Sequence, residues 1–272
     1  MGNLAVSYAA KLFAATEEAN RQEILRAIEP VPGGAMLDLG CCDGSVTVRV
    51  AAAAQVAEVH GVEFIEPYAA GARARGIKVA VADLGAPLPY DDESFDIVHA
   101  NQVIEHLPRT DHFLREIHRV LKPDGYAVLS TNNLSSWHNI GSLALGMQPP
   151  PCHVSDLVIT GNPVNATYDG WQQQVEGQQH LRVFTGRALA SLAAFHGLRL
   201  ERDRTSGYYP LPPRLARLMT RVDRRHGAYL VQRFRRSEPQ ALRGLEVSAT
   251  RNRRRSDESA AGYGAEALRL AS

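Results

Sequence analysis

Two glycines, two cysteines and two aspartates are concentrated in one short stretch, residues 37–45, which reads LDLGCCDGS. The apolar run before Gly40 predicts a strand, and the pattern after Gly44 predicts a helix. Glycine suits a turn in which the backbone takes a positive φ or lies directly against a ligand. A strand, a glycine-containing turn and a helix in this order indicate a ligand-binding turn.

The glycine spacing narrows the choice of ligand. A phosphate-binding loop has Lys and Ser or Thr after its last glycine, and the dinucleotide fingerprint has glycines at positions one, three and six. Gly40 and Gly44 match neither pattern, and no Lys or Arg occurs in residues 37–48. Asp38, where the predicted strand ends, instead favours a cationic ligand without phosphate. The alternative is an ordinary strand-to-helix turn.

LDLGCCDGS resembles the first motif of the class I S-adenosyl-L-methionine-dependent methyltransferases. The resemblance continues through Glu63, Asp83 and the segments HANQVIEHL and LREIHRVLKPDGYAVLSTNN, and covers residues 35–133. Cys42 departs from the family pattern, which most often has a glycine there. The resemblance implies S-adenosyl-L-methionine as the cofactor. It also implies a Rossmann-like, doubly wound α/β fold, in which a seven-stranded sheet has its last strand antiparallel and helices on both faces.

The predicted cofactor contacts lie at the carboxyl ends of successive strands. Glu63 is expected to accept hydrogen bonds from the ribose hydroxyls, with Phe64 bordering the adenosine. In the family pattern an acidic residue at the position of Asp83 accepts from the adenine amino group, and Leu84 packs on the ring. The other residues predicted to contact the cofactor are Asp38, Gly40, Cys41, Gly44, Asn101 and Gln102.

Residues 101–107 should emerge beside the first strand, at the switch point where open parallel sheets bind ligands. Asn101 and Gln102 can offer amides to the methionine part of the cofactor. His106 and His180 are predicted to act as a base on an acceptor hydroxyl, because imidazole accepts a proton near neutrality. His106 follows the fourth strand, and His180 precedes the helix that returns after an insertion. A structural histidine is the alternative for His106, and most of the ten histidines of the chain must be structural or exposed.

Glu105 and His106 are similar to the Glu and His residues associated with a divalent metal in ubiquinone-pathway O-methyltransferases. The upstream member of that set is Gln102 in this chain. Adjacent residues rarely form a complete metal site on their own. No metal is therefore predicted.

Alternating strand and helix patterns predict the elements that position these residues. Five strand and helix units in succession favour a parallel, doubly wound sheet. Helical character extends over residues 4–29, where Asn20 and Glu23 resemble a capping box that opens a second helix. The sequence KPDG is expected to end the helix before the fifth strand, and Thr185 is expected to cap a later helix.

The chain has 272 residues, of which 44% are hydrophobic, and this is enough for one elaborated domain. We expect a methyltransferase domain over residues 1–235, an insertion at about 133–179 that forms an acceptor wall or lid, and a flexible tail over 236–272. The net charge of +1 gives no reason to expect nucleic acid as a partner. Three cysteines and no membrane-spanning stretch suggest a reducing, cytoplasmic location.

The predicted function is methyl transfer to an oxygen or nitrogen of a small or medium-sized acceptor, with O-methylation favoured. The alternative is a catalytically silent protein that keeps the fold and binds S-adenosyl-L-methionine, because fold alone does not establish activity. An NAD-dependent oxidoreductase is disfavoured by the glycine spacing. The sequence leaves the acceptor and the oligomeric state undetermined.

Overall fold

The computed structural model describes residues 2–155, 160–162 and 179–239, with side chains from residue 10 onward. The strands are β1 (Ala35–Leu39), β2 (Glu58–Glu63), β3 (Lys78–Val81), β4 (Phe95–Asn101), β5 (Leu121–Asn132), β6 (Leu198–Ser206) and β7 (Tyr229–Arg236). The helices are α1 (Gly2–Ala27), α2 (Ser45–Ala54), α3 (Glu66–Ala74), α4 (Thr110–Val120), α5 (Trp137–Ala144), α6 (Gly186–Phe195) and α7 (Pro213–Val222). A short 3-10 turn, Ile104–His106, follows β4.

The strands form one sheet in the order β3-β2-β1-β4-β5-β7-β6. The strands β1 to β5 are parallel, and β7 is antiparallel to both β5 and β6. This confirms the predicted Rossmann-like, seven-stranded sheet with its last strand antiparallel. The strand order reverses at β1, whose neighbours are β2 and β4, so ligands are expected at the carboxyl ends of β1 and β4.

Two apolar clusters cover opposite faces of the sheet, because successive strand side chains point to opposite sides. Leu37 and Leu39 belong to the cluster that includes Phe113 of α4 and Leu189 of α6. The neighbouring Met36 belongs to the other cluster. Buried side chains of α1 and α2 pack in the same cluster: Ile24, Ala27, Val50 and Ala54. The helices therefore lie on both faces, as predicted.

The expected helix boundary at Asn20 is wrong, because α1 continues through it as one helix. Asn20 is buried, and its amide donates to Asn101 Oδ1 at 3.0 Å. Glu23 pairs with Arg202 and with Arg26, at 2.8 and 3.2 Å. Both side chains are used for tertiary contacts rather than for a cap, so the local motif did not end the helix.

Of the two later boundaries predicted from the sequence, at KPDG and at Thr185, only the one at KPDG differs from the structure. The helix α4 ends at Val120, but β5 begins immediately at Leu121, and the KPDG residues bulge out between the pairs Phe95↔Leu121 and Ile97↔Tyr126. Thr185 caps α6 as predicted, with its hydroxyl accepting from the Ala188 N–H at 3.2 Å.

The predicted insertion and tail are described only in part. The insertion contains α5, while its residues 156–159 and 163–178 lie outside the described residues. The strand β7 extends to Arg236, and the tail from residue 240 onward also lies outside them. Among the helices that the structure describes, none combines the length and apolar character needed to cross a bilayer.

Candidate functional site

Gly40 and Gly44 frame the turn between β1 and α2, and both have left-handed backbones, with φ of 74° and 80°. A Cβ on Gly40 would lie 2.6 Å from Val103 Cγ2, and one on Gly44 would lie 2.6 Å from Ile77 Cδ1. Each position therefore needs glycine for its backbone and for its packing.

Cys42 lies inside the same turn, with a φ of 48°. A side chain at positive φ is disfavoured, which gives a physical reason for glycine in the family pattern at this position. The adjacent Cys41 is buried, and burial together with the nearby Asp38 and Glu63 carboxylates raises the pKa of its thiol to about 12. Cys41 is therefore a protonated packing residue at neutral pH.

Glu63 ends β2 and faces the turn. Its Oε2 accepts from the Cys42 N–H, and its Oε1 accepts from the Ile65 N–H, both at 2.9 Å. Each carboxylate oxygen can accept a second hydrogen bond, so these contacts leave acceptor capacity for a diol. The neighbouring Phe64 is 72% exposed, which makes its ring available to a planar ligand.

Asp38 lies in the interior of the molecule and is 3% exposed. Its Oδ2 accepts from the Thr47 hydroxyl at 2.5 Å, and its Oδ1 accepts from His99 Nδ1 at 2.7 Å. The register pairs Asp38 with His99 across β1 and β4. The Asp38 carboxylate thus connects β1 to β4 and α2 through hydrogen bonds next to the turn. Its contact with the cofactor stays a prediction.

Asp83 and Leu84 follow β3. Asp83 is exposed, and its Oδ1 accepts from the Gly85 N–H at 2.7 Å in a tight turn. Leu84 is half-buried against the core on the α4 and α6 face. Their predicted contacts with adenine stay predictions.

Asn101 and Gln102 close the carboxyl end of β4. Asn101 Oδ1 accepts from Asn20 of α1, so α1 lies over this edge. Gln102 has a φ of 57°, and its Oε1 accepts from Asn132 Nδ2 at 3.1 Å. A non-glycine residue held at positive φ is a feature that clusters at ligand sites.

Glu105 is fully buried beside this edge. Its carboxylate accepts from the Thr131 hydroxyl at 2.7 Å and from Asn132 Nδ2 at 3.3 Å. Its backbone carbonyl accepts from the Leu181 N–H at 2.8 Å, which fixes the segment after His180. Desolvation by burial raises the pKa of Glu105 to about 7, so the protonated form persists near neutrality.

The two predicted bases, His106 and His180, lie together, with ring centroids 4.9 Å apart. The Nδ1 of His106 donates to the Gln179 carbonyl at 3.1 Å, and the Nδ1 of His180 donates to the Pro151 carbonyl at 3.0 Å. A carbonyl only accepts, so in the neutral rings the proton is on Nδ1 and the lone pair is on Nε2.

A third histidine, His153, was not predicted from the sequence. Its ring stacks on that of His180 at 4.6 Å, and its Nδ1 accepts from the His180 N–H at 3.1 Å. Burial, reinforced by His106 and His153, lowers the pKa of His180 to about 4. Burial also lowers the pKa of His153. Both rings are therefore neutral at neutral pH.

Glu105, His106 and His180 each offer a ligand atom, and these atoms lie within 4.8 Å of one another. The prediction of no metal counted only the two adjacent residues, and the fold adds His180 to them. Imidazole and carboxylate groups suit divalent transition metals. That the site works without a metal stays a prediction.

Residues 37–129 match the family model described as a methyltransferase domain. The 27-O-demethylrifamycin SV methyltransferase of Amycolatopsis mediterranei is 36% identical over 104 residues, which are 36% of this chain and 38% of that protein. A Mycolicibacterium smegmatis protein named as a probable S-adenosylmethionine-dependent methyltransferase is 33% identical over 168 residues, or 61% of each chain. The matched region thus spans less than two thirds of either relative.

A solved S-adenosylmethionine-dependent methyltransferase from Mesorhizobium loti has a similar fold, with a TM-score of 0.54 and 21% identity. The likeness covers 81% of this chain and 100% of that one. At this identity the structure supports the fold, while the family model and the two relatives support the motif region.

Proposed function

We propose that this chain is a class I S-adenosyl-L-methionine-dependent methyltransferase, which transfers a methyl group from that cofactor to an oxygen or nitrogen of a small or medium-sized acceptor. O-methylation is the favoured form of the proposal. The family and fold imply S-adenosyl-L-methionine as the cofactor.

The observation that carries the proposal is the arrangement of Glu63 against the glycine turn. The carboxylate holds the Cys42 and Ile65 N–H groups, and exposed Phe64 lies beside it. A diol-accepting carboxylate, an accessible ring and a turn without Lys or Arg suit a cationic nucleoside without phosphate. The residues of the site therefore fit this cofactor.

S-adenosyl-L-methionine supplies a methyl group already activated by the sulfonium charge. The chain's own contribution is to align an acceptor nucleophile and to exclude water, and such alignment accounts for much of the rate in bimolecular reactions. Half-buried Gln102 and Asn132, together with buried Glu105, offer polar anchoring near the cofactor turn.

We further propose that His106 or His180 accepts the proton of an acceptor hydroxyl. Their Nδ1 atoms are held by backbone carbonyls, so Nε2 is the basic atom of each neutral ring. In His180 this atom faces Asn132 Nδ2 at 3.4 Å, and the pKa of about 4 makes His180 a weak base at neutral pH. General-base assistance typically contributes about 10² to 10⁴ in rate. Changing His106 or His180 to Gln should therefore lower turnover by at least about 10², with cofactor affinity little changed.

Steady-state turnover and calorimetry on the same samples check this expectation, with His60→Gln as the matched control on β2. Wild-type turnover in both variants would contradict the histidine base. Loss of wild-type turnover after chelation, restored by a divalent metal, would assign Glu105, His106 and His180 to a metal instead.

The proposed activity is tested by incubating the full chain with the cofactor and pools of phenolic, sugar, lipid and amine acceptors. Formation of S-adenosylhomocysteine together with a product heavier by one methyl group is expected. Cofactor binding without product across all pools would favour the catalytically silent alternative.

A further inference from the structure

The helix α7 exposes an apolar stripe to solvent. Leu215, Leu218 and Val222 are 45%, 53% and 76% exposed, and they follow the i, i+3, i+7 spacing of one helix face. No residue of α7 is buried. A helix normally packs such a stripe against its own domain, and an exposed apolar patch is typical of a surface that binds a partner.

A row of arginines lies on the flank of α7, between the stripe and the groove that α7 forms with α1. Arg214, Arg217 and Arg221 have the same spacing one residue earlier, and Arg224 follows the helix end. None of the four has an ion pair within the described residues. Because the net charge of the chain is only +1, this row is a local positive field rather than part of a basic protein.

The strand directions place α7 at the carboxyl ends of the parallel strands, where the candidate site lies. Since β7 is antiparallel to both β5 and β6, β6 runs in the same direction as β5. The connection after β6, which contains α7, therefore leaves at the carboxyl ends of the parallel strands. The glycine turn and the histidines lie at the same edge.

A second exposed helix is joined to this one. Trp137, the first residue of α5, donates its indole N–H to Asp223 Oδ2 at 2.7 Å, directly after α7. Trp137 is 50% exposed and Leu143 is 58% exposed. The two helices thus present aliphatic and aromatic side chains next to cations.

We infer that α5 and α7 form a surface that binds an anionic lipid bilayer. A basic amphipathic helix lies in the interface with its apolar face among the acyl chains and its arginines at the headgroups, and tryptophan favours the same depth. An acidic polypeptide or nucleic acid would match the arginines but would leave the leucines in water. The inference does not depend on the proposed methyl transfer.

The test compares two charge reversals of equal size in the full chain. The first is the triple variant R214E, R217E and R221E on α7, and the second is R253E, R254E and R255E in the tail. Wild type should co-sediment with phosphatidylglycerol vesicles and not with phosphatidylcholine vesicles. The α7 reversal should weaken this binding by on the order of 10²-fold or more, and the tail reversal should leave it largely intact.

A fluorescence measurement tests the apolar part of the surface. The chain has two tryptophans, so the W171F variant reports on Trp137 alone. Its emission should shift to the blue with phosphatidylglycerol vesicles, and L215S with L218S should remove the shift while the far-ultraviolet spectrum and melting temperature stay unchanged.

Several outcomes would overturn the inference. These are no vesicle binding by wild type, loss of binding in the tail reversal instead of the α7 reversal, and binding to heparin or an acidic peptide without binding to vesicles. Sedimentation showing a dimer that the α7 leucine variant dissociates would assign the surface to a second copy of the chain.

Discussion

Glu63 joins the end of β2 to the glycine turn through two backbone N–H groups. The side chain that is predicted to bind the ribose therefore also shapes the turn around it. A substitution of Glu63 therefore affects both ribose binding and the shape of the turn. A series of substitutions that removes the acceptor atoms stepwise separates the two effects.

Glu63→Ala should weaken binding of S-adenosyl-L-methionine by roughly 10-fold or more, because a charge-assisted hydrogen bond contributes about 1.5 to 3 kcal/mol. Glu63→Gln keeps one carbonyl acceptor and should fall between Ala and wild type. Calorimetry measures both, and Glu66→Ala, which removes an exposed carboxylate that pairs with Arg73, is the matched control. Equal affinities across this series would refute the ribose assignment.

His138 predicts a pH dependence of stability. Burial lowers its pKa to about 4 in the folded chain, whereas an unfolded histidine titrates near about 6.5. Its contribution is therefore complete above about pH 6.5 and is lost as the pH falls towards 4. Glu105 has the opposite sign, because its raised pKa makes its contribution fade as the pH rises through about 7.

His138→Gln should therefore lose less unfolding free energy than wild type between pH 7 and pH 5, by on the order of 1 to 2 kcal/mol. Urea denaturation of both proteins at the two pH values gives the double difference, which cancels the cost of the substitution itself. Parallel losses in both proteins would show that His138 takes up its proton without unfolding.

At the scale of elements, one polar side chain of α1 contacts three strands at their carboxyl ends. Asn20 donates to Asn101, and its Oδ1 accepts from the hydroxyls of Ser130 at 3.0 Å and Ser206 at 3.4 Å. These contacts join α1 to β4, β5 and β6. The helix is thereby fixed where the cofactor site is expected to open.

Asn20→Ala should lower the free energy of unfolding by about 1 to 3 kcal/mol, because it leaves buried polar groups without their partner. Gln22→Ala, which removes an exposed contact with Glu18 in the same helix, should have little effect. Thermal unfolding of the two variants checks the difference. A similar melting temperature in both would mean that water replaces the lost amide.

Most helices and strands were predictable from the sequence. Burial of one face gives α4 its helical spacing of apolar residues, and burial of both faces gives β1 its apolar run. Asn20 was misread because a capping motif is local, whereas its partners lie on distant strands. The approach of His180 to within 4.8 Å of Glu105 was likewise beyond prediction, because it depends on the path of the insertion and on the hydrogen bond from the Leu181 N–H to the Glu105 carbonyl rather than on sequence spacing. The residues predicted to bind the cofactor follow the ends of strands and can be located from the sequence. The residues expected to face the acceptor do not follow strand ends.

At the scale of the whole molecule, the predicted cofactor should stabilise the folded chain. S-adenosyl-L-methionine and S-adenosylhomocysteine at about 100 times their dissociation constants should add about 2.7 kcal/mol, which raises the melting temperature. NAD and ATP should not, because the turn has neither the glycine spacing nor a cation for their phosphates. Differential scanning fluorimetry distinguishes the two groups, and stabilisation by NAD alone would point to an oxidoreductase.

The position of β7 between β5 and β6 has a consequence for synthesis on the ribosome. Among the described strands, β6 pairs with β7 alone, so none of them is its neighbour in the sheet while the nascent chain ends before residue 229. The five parallel strands can be in place earlier, because their partners precede them along the chain or follow closely. We therefore expect the far edge of the sheet to form last, when residues 229–236 leave the exit tunnel and join β5 to β6.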